Sequence, residues 1–415
     1  MSAGLARTFL SLSVPNYRRY FGGQIVSLTG NWMQTVAEMW LMVQLTGSGV
    51  SVGLTAALQF LPIMLFGAWG GLLADRMPKR RLLTITQTLM AIPALTMWLL
   101  TVNGSIAVWM VYALVLARGC VNAIDNPARQ AFVVEMVGAD RVVNAVALNS
   151  VIVQTARIFG PAAAGAVIVL IGVGTCFLVN ALSFIAMIVA LRLMDPAMLH
   201  TPPMAARRAP RQLRLALQYV RHTPDLLIPL AMMAVVGTLS YNFQVLLPLL
   251  AHLTWHGTAE TYTALAVAMA LGSVVGALAA GARGRVGPRL LVAAAAAFGL
   301  AELLVAAAPT VPLQVAALLP LGAISVTLTA GINSSLQLGV EPIMRGRVMA
   351  LYSVVFLGST PIGAPLVGWI AEVAGPRASL VLGAVAALAA AVGGAVAYAR
   401  IGKPVRFPAR AALTR

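Results

Sequence analysis

With 415 residues, 60% hydrophobic and only 9% charged, at a mean hydropathy of +0.90, the chain falls in the membrane class and outside the composition of water-soluble enzymes. A formal net charge of +17 would suggest nucleic acid in a soluble protein. Here all but three of the 28 Lys and Arg lie at the chain ends or in alternate loops, which is a membrane-topology pattern and argues for no nucleic-acid partner.

A helix crossing the ~30 Å hydrocarbon layer needs about 20 residues. Twelve stretches meet that length, over 20–44, 50–74, 82–102, 105–127, 142–168, 171–193, 226–250, 258–281, 289–308, 311–333, 346–371 and 376–400. The expected fold is an all-α membrane protein of twelve transmembrane helices in two pseudo-symmetric six-helix bundles, 1–193 and 226–415, joined by a cytoplasmic linker over 194–225. The exceptions to the loop pattern are Arg377, in an opposite loop, and Arg118 and Arg157, inside spans. The pattern predicts a plasma (inner) membrane protein with both termini cytoplasmic. Arg7, Arg18 and Arg19 precede the first span without a cleavage site, so that span reads as a retained signal-anchor.

On the first span, Asn31, Gln34 and Glu38 fall at i, i+3 and i+7, a polar stripe on an apolar helix. A charged group inside a span costs roughly 2.5–3.5 kcal/mol on insertion scales, so it faces the protein interior and marks a site. Three roles fit Glu38: proton exchange, a permanent structural pair, or a substrate contact. The second span ends in Gly71-Leu-Leu-Ala-Asp75, and the turn that follows carries Arg76, Lys79, Arg80 and Arg81. One acid among four bases at a span boundary reads as a tight cytoplasmic turn.

On the fourth span, Arg118, Asn122 and Asp125 fall at i, i+4 and i+7, again one face. A guanidinium keeps its proton, so Arg118 either pairs with a nearby carboxylate until substrate or a conformational change separates them, or packs helices through backbone carbonyls. The fifth span carries Gln154 and Arg157, then Gly160-Pro161-Ala-Ala-Ala164-Gly165. Small residues permit close helix contact and proline permits bending, which suits either packing or gating. Arg157 either pairs with Glu38 or binds an anionic substrate group. The two cysteines, Cys120 and Cys176, sit on different apolar stretches and read as small buried hydrophobes.

The linker holds Pro202-Pro203 and Arg207, Arg208, Arg211, Arg214 and Arg221. Its part from Gln212 to Val220 is either a short interfacial helix with its bases toward headgroups or a solvated tether. Beyond it the first half recurs at an offset of about 205 residues. Gly71–Asp75 aligns with Gly276–Ala280, followed by Arg283, Arg285 and Arg289; Ala147–Ser150 aligns with Ala350–Ser353, and Gly160–Gly165 with Gly363–Gly368. His252 and His256 lie in an exterior loop without a further strong ligand and read as polar loop residues, so no metal site is expected. Glu302 lies on the ninth span, peripheral in this arrangement, and reads as structural. The tryptophans suit interfacial belts, with Trp32 a candidate substrate contact.

The run Gly71, Leu73, Ala74, Asp75, Arg76, Lys79, Arg80, Arg81 resembles the signature loop between helices 2 and 3 of the major facilitator superfamily, with Pro78 in place of its second glycine. Leu114 and Arg118 resemble the start of that superfamily's helix 4 motif, and Gly160-Pro161 through Gly165 resembles its antiporter signature, with Ala156 and Ala164 where glycines stand. Val14–Phe21 and Asn126–Ala131 look like the branch that includes enterobactin-exporter and macrolide-efflux proteins. The resemblance implies the major facilitator fold and export of a bulky organic compound. It implies a coupling role for Arg118, and it implies that Asp75 approaches the N-terminus of the eleventh helix near Gly346–Val348 while Arg76 bridges to Asp125, a latch with Lys79 and Arg80 that breaks on opening.

The functional expectation is a proton-coupled exporter, with Glu38, Arg118 and Arg157 as coupling candidates. Asn31, Gln34, Gln59, Asn122, Gln154 and Asn242 are the substrate-cavity candidates, and Asp75, Arg76, Lys79, Arg80, Asp125, Gly160, Pro161 and Gly165 the gating candidates. The second half offers almost no buried charge. The only lysines, Lys79 and Lys403, lie outside any phosphate-binding loop, and all four histidines lie in loops, so neither an ATP-driven pump nor an intramembrane enzyme is expected. An importer or a lipid flippase on the same fold is the alternative, and a receptor or scaffold that no longer transports a lesser one. The expected partners are a small-molecule substrate, protons and the lipid bilayer, with no cofactor and a monomeric state.

Overall fold

The computed structural model describes residues 9–200, 212–283 and 287–401. Among them the regular structure is helical. In chain order the helices are α1 (Pro15–Thr46), α2 (Gly49–Arg76), α3 (Lys79–Val102), α4 (Val108–Val137), α5 (Val142–Leu170), α6 (Val173–Arg192) and α7 (Gln212–Arg221), followed by α8 (Pro224–Leu239), α9 (Phe243–Leu249), α10 (Ala259–Arg283), α11 (Pro288–Ala307), α12 (Val311–Gly339), α13 (Pro342–Gly358), α14 (Thr360–Ala374) and α15 (Pro376–Ile401). The linker bases Arg207, Arg208 and Arg211, the Pro202-Pro203 pair, Arg7 and Arg285 lie outside the described residues.

Local signals explain the boundaries. α1 opens on Pro15 in its first turn and closes at Gly47, whose φ of 61° suits glycine and whose N–H donates to the Val43 carbonyl at 2.8 Å. Ser48 then caps α2 by accepting from the Ser51 N–H at 3.2 Å. Connections this short leave no room for a separate soluble domain between helices. Several helices run past the expected ends: α4 continues through Pro127 to Val137, ten residues beyond the expected limit at 127. In a membrane helix, neighbouring groups satisfy the carbonyl that a proline frees. The seventh and eleventh spans are each interrupted, at Ser240–Asn242 and at Ser359.

Eleven segments of the described chain are long and apolar enough to cross a bilayer. The helix α1 is not among them. Its 32 residues would reach about 48 Å, but Gln24, Ser27, Gln34 and Glu38 lower its hydropathy, and all four are buried. The opposite sides of the spans present apolar residues outward, among them Trp69, Trp109, Val143, Leu170, Ile171 and Leu278. A surface of that kind is matched to lipid.

The chain divides into two compact units, one drawn from Met1–Arg207 with Leu247–Val267, the other from Arg208–Leu246 with Ala268–Arg415. In the first unit α2 packs on α4, α1 on α5 and α6, and α3 on α6. Side chains are absent where α2 and α4 meet most closely: a methyl on Gly119 would stand 2.8 Å from the Gln59 carbonyl, and one on Gly70 would strike that of Ala123. The second unit uses the same device between α10 and α12, with Gly272, Gly276 and Gly322 against backbone carbonyls. There α11 packs on α12 and α15, and α8 on α15. The segment expected as interfacial helix or tether is the helix α7, with Ala216 and Val220 buried; it packs on α13.

Candidate functional site

The buried polar groups of the first unit follow from two helix faces. On α1 the stripe is longer than the sequence reading: Gln24, Ser27, Asn31, Gln34 and Glu38 alternate by three and four residues. On α4 the same alternation continues through Arg118, Asn122, Asp125 and Arg129. Spacing of this kind keeps each set on one side of its helix. The result is two ionic centres on α4, with Asp125 seven and Arg129 eleven residues beyond Arg118, about 10 and 16 Å along the axis.

The first centre is Glu38 with Arg118. The Arg118 Nη2 donates to Glu38 Oε2 at 2.5 Å, and the Gln34 Nε2 donates to Oε1 at 2.7 Å, so both carboxylate oxygens have a donor. Glu38 is fully buried and the Arg118 side chain 7% exposed. On α6, Asn180 donates from Nδ2 to Gln34 Oε1, and the Ser183 Oγ donates to Asn180 Oδ1 at 2.9 Å. Among the described residues the Arg118 Nε has no acceptor, and Gln59, which donates to Thr35 Oγ1 at 3.4 Å, has an unmatched Oε1. A pair so enclosed is held by geometry, and removing either member leaves the other charge exposed to a low-dielectric interior.

The second centre is Asp125 with Arg129. Asp125 Oδ1 accepts from Thr86 Oγ1 at 2.6 Å and from Gln87 Nε2 at 2.8 Å, and Oδ2 accepts from Arg129 Nε. The Arg129 Nη1 donates to Gln24 Oε1, and Ser27 Oγ to Gln87 Oε1 at 3.3 Å. Three helices are thereby tied at one buried acid. The bridge expected from Arg76 to Asp125 is replaced by this one: Arg76 is exposed, and Asp125 is engaged by the arginine one turn further along its own helix.

The basic turn is engaged within its own unit. Lys79 Nζ lies 2.9 Å from Glu135 Oε1 on α4, and Arg80 donates to the carbonyls of Leu191 and Arg192 at 2.7 and 2.9 Å, closing the C-terminal end of α6. Asp75 is half-buried. On α5, Gly160 meets α1: a methyl there would strike the Trp32 side chain and stand 3.1 Å from the Thr29 carbonyl. Gly165 abuts the Thr263 side chain and Pro161 is buried beside them. Arg157, considered as a partner of Glu38 or of an anionic substrate group, has its guanidinium carbon 5.6 Å from the centre of the Trp32 ring, a cation–π contact. Asn31, Asn122 and Gln154 are half-buried. Trp40 stacks on Tyr262 at 5.8 Å, and His252 meets its edge at 6.4 Å.

Asn242 belongs to the second unit, fully buried, donating to the Thr238 carbonyl at 2.8 Å. Glu302, expected to be peripheral, is fully buried, and among the described residues it is the one buried Asp, Glu, Lys or Arg of the second unit. The residues missed in the sequence were Gln24, Ser27, Gln87, Arg129, Glu135, Asn180 and Ser183. Arg129 carries a signal, since it extends the α4 stripe by four residues, but it lies beyond the expected end of that span at 127.

A family model described as transmembrane secretion effector, of the major facilitator type, matches residues 6–404. The chain belongs to that family. Relatives at low identity agree with the branch seen in the motifs. The enterobactin exporter of Citrobacter koseri is 26% identical over 373 residues, covering 88% of this chain and 87% of that protein. The macrolide efflux protein A of Streptococcus pyogenes is 23% identical over 367 residues, covering 83% and 86%. The staphyloferrin A transporter of Staphylococcus aureus is 26% identical over 264 residues, 62% of this chain, and the match spans 65% of that protein's length. Among solved structures, a bacterial homologue of the human lysosomal transporter Spinster superposes with a TM-score of 0.71 at 15% identity, covering 95% of this chain and 99% of that one. The nucleoside transporter NupG gives 0.71 at 13%, covering 92% and 99%. These likenesses show the fold. The chain is a multi-pass membrane protein of a transporter family with siderophore and drug exporters among its relatives.

Proposed function

We propose that this family member is a secondary active transporter that exports a bulky organic compound, such as a drug, a siderophore or a secondary metabolite, in exchange for protons by alternating access. The observation that carries the reading is the enclosed Glu38–Arg118 pair, in which one proton on Glu38 would remove the charge that holds Arg118. Arg118 is then available to an anionic group of the cargo or to half-buried Asn122, and loss of the proton restores the pair. A proton-motive force near 150 mV supplies about 3.4 kcal/mol per proton, enough for a gradient of a few hundred-fold for a neutral cargo. In this reading twelve spans form two six-helix bundles, divided at residues 194–225, with both termini in the cytoplasm of a plasma-membrane monomer. Asn31, Gln34, Gln59, Gln154, Arg157 and Asn242 remain the proposed contacts for cargo, and Asp75, Arg76, Lys79, Arg80, Asp125, Gly160, Pro161 and Gly165 the proposed gate.

The test uses inside-out vesicles energised acid inside, a pH-sensitive dye, and a panel of siderophores, macrolides, cationic drugs and lipids. Wild type should dissipate the gradient with at least one compound, and Glu38→Gln should not. Release of preloaded compound into the bath, or lipid movement, without such dissipation replaces the exporter with the importer or flippase.

A further inference from the structure

Where α8 breaks, a single acid is enclosed by the second unit. Glu302 on α11 has no exposure, and neither carboxyl oxygen has a hydrogen-bond partner among the described residues. Its surroundings are tight. A methyl on Gly383 of α15 would stand 3.0 Å from Oε1, 3.2 Å from Oε2 and 3.1 Å from the Cα of Ser240, so three helices converge on one glycine beside the carboxyl. Ser240, the residue that ends α8, donates from Oγ to the Gly383 carbonyl at 2.6 Å. The break carries a second unmatched group, the buried Oδ1 of Asn242. One turn before Glu302, Phe298 stacks on Tyr241 and meets Phe243 edge-on, so the approach from the break is aromatic.

Among the described residues, no charge on the helices around it offsets this acid. On α11 the only other charged residue is Arg289 in the first turn; α12 has none; α8 has Asp225 in its first turn. On α15 the charged groups are Arg377 and Arg400, at opposite ends, with Tyr398 beside the latter. Arg377 donates to the Ala308 carbonyl at 2.7 Å, six residues or about 9 Å along the axis from Glu302. Tyr241 is the titratable group at the break itself. An isolated carboxylate in such a place is so unfavourable that it takes up a proton instead.

We propose that Glu302 is a proton-binding site of the second unit, holding an exchangeable proton beside the α8–α9 break and separate from the Glu38–Arg118 pair. Discontinuous helices are where membrane transporters place ion sites, because the interrupted backbone leaves polar groups unpaired. This site stands whether or not the chain exports a compound, because a vibrational spectrum reads the proton and not the flux.

The experiment is infrared spectroscopy of the purified full chain in lipid near pH 7, for wild type, Glu302→Gln, Glu302→Asp and Glu38→Gln, in water and after exchange into heavy water. Wild type and Glu38→Gln should show the C=O stretch of a protonated carboxylic acid, shifted on deuteration. Glu302→Gln should lack it and Glu302→Asp should restore it. Size-exclusion elution matching wild type establishes that each variant is folded. A wild-type spectrum without the band, or a folded Glu302→Gln that keeps it, overturns the proposal.

Discussion

The two units solve the problem of a buried acid in opposite ways. In the first, Glu38 and Asp125 each have an arginine and at least one amide donating to them, from helices whose three-and-four spacing faces them together. In the second, Glu302 has packing around it and no donor among the described residues. A paired acid fixes helices in register and is costly to disturb, whereas an unpaired one is tolerated only as a neutral group. Buried charge therefore organises the first unit, and shape organises the second.

The largest expected effect tests that contrast directly. Arg118→Leu leaves Glu38 with one amide donor and should cost about 3–5 kcal/mol of stability. Glu302→Leu removes a group that makes no bond and should be neutral or stabilising by up to about 2 kcal/mol. Thermal unfolding of both purified proteins in one detergent decides it. Equal destabilisation would mean that Glu302 has a partner and that the contrast between the units is wrong.

A smaller effect is expected where the first unit relies on close contact. Gly160→Ala places a methyl against Trp32 and the Thr29 carbonyl, where backbone cannot yield, and should destabilise by about 1–3 kcal/mol. Gly346→Ala on α13, with open space at that position, should instead gain up to about 1 kcal/mol from helix propensity. The same unfolding assay ranks the two, and a tolerated Gly160→Ala would remove the packing account of the glycine-proline run.

Much of this was legible in advance because the bilayer imposes its own period. Spans about 20 residues long, the polar stripe at Asn31, Gln34 and Glu38, and the face shared by Arg118 and Asp125 follow from length and helical spacing alone. The partners were not legible. Asn180 and Ser183 are short polar residues on α6, and nothing in its own pattern marks them until Gln34 is set against them. Arg129 was lost because a proline reads as an end in water, while inside a membrane protein the helix continues through it. Glu302 was underrated for a different reason. A single acid has no periodicity, so its burial depends on which face α15 covers.

The smallest effects concern the basic turn, where two neighbouring cations differ in setting. Lys79 is 14% exposed in its side chain and pairs with Glu135, itself 8% exposed, so Lys79→Ala strands a mostly buried acid and should cost about 1–2 kcal/mol. Arg76 is exposed, and Arg76→Ala should change stability by no more than about 0.5 kcal/mol. Measured alongside transport in vesicles, the pair separates two roles of one turn. A latch that breaks and re-forms predicts that Arg76→Ala alters flux at unchanged stability, since the residue would act only in the state where its partner is near. A turn that only orients the chain predicts that Arg76→Ala is silent in both assays, leaving Lys79 and Arg80 as fasteners of α3 to α4 and α6.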